Sequence, residues 1–121
     1  MKRLVWTSIV CAVFAAVALA ETKDLDLTLG DPQVKDLGKC ASGNCLGVIV
    51  AAPTGYHVTN VTESGSAFVH PCDKTNNCKQ SKAWIPVQGF SNQAQWLGWT
   101  DSGDPTQAFV LHIEYAKDSK D

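Results

Sequence analysis

Residues 84–99 form the most aromatic stretch of the chain, with Trp84, Trp96, Trp99 and Phe90 interleaved with Gln88, Ser91, Asn92, Gln93 and Gln95. Flat indole faces cover the apolar side of a sugar ring while amides hydrogen-bond its hydroxyls, and the same mixture suits a peptide surface. The candidate ligand-binding residues are therefore Trp84, Phe90, Asn92, Gln95, Trp96 and Trp99, and the expected partner is a carbohydrate or an extracellular protein. The competing expectation is that tryptophans in a small domain pack inside it. Trp96 and Trp99 are an odd number of residues apart, so an unbroken strand sends them to opposite faces, whereas a bulge at Gly98 lets them share one.

Cysteine supplies the second kind of chemistry. Apart from Cys11 in the N-terminal apolar run, the chain holds Cys40, Cys45, Cys72 and Cys78, an even number that suits two disulfides in an oxidising compartment. Four cysteines allow three connectivities. Local pairing closes Cys40 to Cys45 across Ala41-Ser42-Gly43-Asn44, and Cys72 to Cys78 across Asp73-Lys74-Thr75-Asn76-Asn77. Both intervals consist of turn-forming residues, which favours this pairing. Chain entropy favours the long one, because a short closure contributes only about 2 kcal/mol against about 4 for one spanning more than thirty residues. A structural zinc site is not expected: Cys40 and Cys45 have a ligand-like spacing, but Cys72 and Cys78 stand too far apart for the usual paired unit, even with His70 nearby.

No catalytic constellation emerges. His57, His70 and His112 are the only histidines, and neither order nor spacing ties one to a carboxylate such as Asp101 or Asp104. No serine lies in a G-x-S-x-G elbow, and glycine-rich phosphate loops are missing. Neither a cofactor nor a metal is implied. Asn60-Val61-Thr62 matches an N-glycosylation sequon. The cysteine loops are candidates for contact surfaces, since crosslinked tips lose less entropy on docking.

The elements that must carry these residues alternate with a period of two. Leu25, Leu27 and Leu29 alternate with polar neighbours, predicting a half-buried opening strand. Gly30-Asp31-Pro32 breaks it, and the stretch through Gly38 reads as a connector with one short turn around Val34 to Leu37. Leu46 to Ala51 is apolar and rich in β-branched residues, which suits a central strand. Tyr56 to Val61 is extended, with Tyr56 and Val58 on one face and His57, Thr59 and Val61 on the other, before a turn at 63–66. Ala67 to His70 is a short strand. Around Trp84 the alternation continues, but Pro86 cannot donate to a ladder and puts this segment on an edge or at a bulge. Gly98 suggests a bend or a close backbone contact within Gln95 to Thr100. Phe109, Leu111, Ile113 and Tyr115 mark the longest clean strand, with His112 on its outer side. About seven strands without an amphipathic helix predict an all-β domain: a small antiparallel β-sandwich, or a partly closed barrel, with two disulfides.

Of the 121 residues, 1–20 read as a secretory signal peptide: Lys2 and Arg3 precede an apolar run that ends in Ala18-Leu19-Ala20. An uncleaved anchor and a lipid-modified Cys11 are the alternatives; Val10 before that cysteine argues against the second. Residues 21–121 then form one exported domain, secreted or periplasmic, with no integral membrane segment. Removing the leader takes out Lys2 and Arg3 and none of the 12 acids, so the formal charge moves from −2 to −4. With no arginine left, phosphate-backbone binding is excluded as an expectation, and nucleic acid is not a partner. The function expected is a small exported, disulfide-stabilised recognition module that binds a glycan or protein through its aromatic and amide-rich surface. The alternatives are a small secreted hydrolase or protease inhibitor, and a structural, envelope-associated protein without a small ligand.

Overall fold

A computed structural model of the chain describes residues 20–64, 66–74, 78 and 82–119. The expected leader lies outside these residues except for Ala20, whose backbone opens the first strand, and residues 75–77 of the second cysteine interval also lie outside them. Eight strands follow in chain order: β1 (Ala20–Thr28), β2 (Val34–Cys40), β3 (Gly43–Ala51), β4 (Tyr56–Ser64), β5 (Val69–Pro71), β6 (Trp84–Pro86), β7 (Gln93–Thr100) and β8 (Ala108–Lys117). All pairings are antiparallel. One sheet has the order β1-β8-β4; the other runs β2-β3-β7-β5, with β6 also paired to β7. The two pack as a β-sandwich and do not close into a barrel.

The alternation read from the sequence explains the core. Phe109, Leu111, Ile113 and Tyr115 of β8 turn inward, as do Leu46, Val48 and Val50 of β3 and Ala94 and Trp96 of β7. Trp96 and Phe109 meet with ring centroids 5.9 Å apart. Burying side chains of this size contributes about 1.5–3 kcal/mol each, so these few residues dominate the stability of the fold.

Local expectations are corrected on three strands. The segment 34–38 is strand, not connector: only the turn after β1 breaks the chain, and there Asp31 accepts the Gln33 N–H at 3.0 Å. β2 escaped the period-two reading because its register against β3 shifts between Asp36 and Lys39, where Gly38 adopts φ 90°. β4 shifts between Val58 and Asn60 in the same way, which rotates Val61 onto the inner face with Val58. β4 also continues to Ser64, through the start of the turn expected at 63–66. Finally, β7 neither bends nor bulges at Gly98; its register with β3 is unbroken from Asn44↔Thr100 to Ala51↔Gln93. The close contact expected there is real. A β-carbon on Gly98 would clash with the edge of the Trp96 indole and lie 2.6 Å from the His70 carbonyl oxygen.

Candidate functional site

The unbroken path of β7 separates the aromatic residues. Trp96 points inward and is fully buried, and its indole N–H has no hydrogen-bond partner among the described residues. Trp99 points to the outer face, where it lies in register with Cys45 and His70 and stacks on the His70 ring at 4.4 Å. Gln95 shares that face, opposite Ile49. Asn92 is occupied in structure: its amide donates to the Ala52 carbonyl at 2.8 Å and ties the β6–β7 hairpin to the end of β3. Phe90 stands at the tip of that hairpin, 57% exposed, beside Gly89 with φ 89°. The six residues selected from the sequence therefore occupy the core, the outer sheet face and a hairpin tip rather than one contiguous patch.

Gln95 lines a small cavity beside Cys45 and Cys72, and Trp84 opens onto a larger groove. Trp84 pairs in register with Trp96 and so faces inward, but β6 lies at the border of its sheet. Its side chain packs against the core yet stays half-buried. Opposite runs β4, the border strand of the other sheet. Between these two borders lies a groove of about 660 Å³, lined by Asn60, Thr62 and Glu63 of β4 and by Lys82, Trp84 and Pro86 on the β6 side. Its volume is in the range of small-ligand sites. The Oε2 atom of Glu63 is buried with no hydrogen-bond partner among the described residues. Burial pushes the Glu63 carboxyl above its ordinary value, opposed by a hydrogen bond from the Ser66 backbone. Asn60, Thr62, Glu63 and Lys82 were absent from the sequence-derived set. Asn60, Thr62 and Glu63 come from β4, and only the stacking of the two sheet borders brings them to Trp84, whereas Lys82 lies two residues before it.

The other chemistry-bearing groups are engaged elsewhere. His112 meets Asp24 at 2.7 Å on the outer face of the β1-β8-β4 sheet, and His57 meets Asp118 at 2.9 Å, both pairs partly exposed. The disulfides follow the local pairing, Cys40–Cys45 and Cys72–Cys78, with Cα atoms 5.8 and 5.7 Å apart. The first interval is tighter than a loop: Cys40 and Gly43 are register partners around a two-residue turn. The Sγ atoms of Cys40, Cys45 and Cys78 all lie within 4.8 Å of one another. Each is bound in a bridge, which removes the thiolate form that metal ligation uses.

Two such bridges fit an oxidising, extracellular type of compartment. Among the described residues no helix is long and apolar enough to cross a membrane. Compared with protein-family models, with curated proteins and with solved structures, the chain matches none of them.

Proposed function

We propose that the protein is a non-catalytic, exported recognition module that binds a glycan in the groove between β4 and β6. The observation that carries this reading is Glu63, which lines a groove walled by the half-buried Trp84 indole and keeps one carboxylate oxygen buried without a hydrogen-bond partner among the described residues. A buried acceptor left unsatisfied costs about 1–3 kcal/mol, and a donor that draws the Glu63 carboxylate round toward the groove recovers that loss. Sugar hydroxyls donate, and the indole face offers the apolar surface on which the ring lies. Asn60 and Thr62 add amide and hydroxyl groups on the same wall, and Lys82 adds an ammonium donor.

The hydrolase alternative has less support at this site. Glycoside hydrolysis ordinarily uses two carboxyl groups across the scissile bond, about 5–10 Å apart. Among the described lining residues Glu63 is the one carboxylate.

The test is calorimetric titration of the protein with a panel of neutral oligosaccharides. Saturable binding should weaken at least about tenfold, or 1.4 kcal/mol, in Trp84→Ala and in Glu63→Gln. Trp99→Ala, on the outer sheet face, should leave it unchanged. Silence across the panel, or binding indifferent to Trp84→Ala, would overturn the proposal.

A further inference from the structure

The two disulfides are neighbours. A bridge fixes only its own two sulfurs, yet Cys78 Sγ lies within 4.8 Å of both Cys40 Sγ and Cys45 Sγ, which belong to the other bridge. The fold causes this approach. β3 sets Cys45 beside Trp99 on one side of β7, and the Cys72 N–H donates to the Leu97 carbonyl at 3.0 Å on the other side of that strand. Cys45 and Cys72 line the same cavity of about 260 Å³ above Leu97 and Gly98. Within each bridge one sulfur is sheltered and the other approachable: Cys45 and Cys72 are 3% exposed, whereas Cys40 and Cys78 are half-buried.

We propose that the four cysteines form one thiol–disulfide exchange unit, in which opening the Cys72–Cys78 bridge lets Cys78 re-pair with the β2–β3 hairpin. The co-reactant is a small external monothiol. Its thiolate attacks the approachable Cys78 sulfur, forming a mixed disulfide and expelling Cys72 as a thiolate, which takes up a proton. A second external thiolate attacks the small-molecule sulfur of that mixed disulfide, releasing an external disulfide and the Cys78 thiolate. Cys78 then attacks Cys40, the approachable sulfur of the neighbouring bridge; the Cys78–Cys40 bond forms, and Cys45 leaves and is protonated. Two external thiols have been oxidised to one disulfide, and one protein bridge has been reduced. The half-reduced protein keeps a crosslink, but that crosslink now joins the two loops, so the surface they form depends on the thiol concentration outside.

Partial reduction followed by acid quenching, alkylation and peptide mapping tests this. Cleavage after Lys39, Leu46, Phe68, Lys74 and Lys79 separates peptide 40–46 from 69–74 and 75–79. Among molecules with one remaining bridge, the exchange product joins 40–46 to 75–79. The reference is the same reaction in concentrated urea. There, closing the chain from residue 40 to 78 is on the order of tenfold rarer than the local closures with separations of 5 and 6. In native buffer the ratio of inter-loop to local bridges should be at least about tenfold higher than in urea. A ratio equal to or below the urea value would overturn the proposal. If both bridges open together, the Cys72→Ser chain gives the same reading from a single starting bridge: Cys78 should be found joined to peptide 40–46, and a free Cys78 beside an intact Cys40–Cys45 bridge would refute the exchange.

Discussion

Replacing Gly98 by alanine adds one methyl group to the least tolerant position in β7. The new β-carbon would clash with the edge of the Trp96 indole and lie 2.6 Å from the His70 carbonyl oxygen. Neither neighbour yields easily. Trp96 is fully buried against Phe109, and the His70 carbonyl is held by the pairing of β5 with β7. Overpacking of this kind costs about 1–3 kcal/mol, and the backbone clash points to the upper end. Alanine recovers about 0.5–1 kcal/mol through the lower entropy of the unfolded chain, leaving a net loss of about 2 kcal/mol. For a domain of about a hundred residues this lowers Tm by roughly 8–16 °C. Gly103→Ala is the control, because a β-carbon there meets no heavy atom within 4 Å. It should be neutral or stabilising by up to about 1 kcal/mol. Thermal and urea unfolding of both variants, followed by tryptophan fluorescence, makes the comparison. Gly98→Ala as stable as the parent protein would refute the contact on which the explanation of this glycine rests.

Phe109→Ala, at the buried contact with Trp96, should cost about 3–5 kcal/mol in urea unfolding, whereas Phe90→Ala at the exposed hairpin tip should stay within about 0.5 kcal/mol. Burial raises the Glu63 carboxyl, so the folded state holds that proton more tightly than the unfolded state; the group's stabilising contribution is full below the unfolded pKa and is lost as pH rises through the folded one. Glu63→Gln should remove that part of the decline from a stability-against-pH profile, and an unchanged profile would contradict the assignment. Asp36 behaves oppositely: the Gly38 N–H and the Asn44 amide hold its carboxyl below the ordinary range, so its contribution is present above the unfolded pKa and lost as pH falls through the folded one. Asn44→Ala should therefore move the Asp36 carboxyl resonance to titrate at higher pH, and a static titration would show that the amide contact does not persist in solution.

The parts of this fold that were legible in the sequence are those where a strand keeps a strict period of two. β8 shows its inward set at 109, 111, 113 and 115 without interruption, and the opening leucines of β1 do the same. The local disulfides were legible from turn residues. β2 was hidden because its two apolar residues face opposite ways, Val34 toward the core and Leu37 outward against Gly47, and because Asp36 and Gly38 beside the register shift read as a turn. The shift in β4 misassigned the face of Val61 for the same reason. The groove could not be found by scanning for aromatic density, because that search selects neighbours in sequence. Glu63 reaches Trp84 only through the stacking of two sheets whose borders come from distant segments.

The far side of β7 is shared by two stubs, β5 against residues 98–100 and β6 against residues 94–96, each ending in a proline. A long straight border with free amide groups invites another chain to add itself as the next strand. Here the chain leaves the sheet between the stubs, and proline has no amide hydrogen to offer at either end. An incoming strand finds no uninterrupted row to copy, so this margin resists fibril growth.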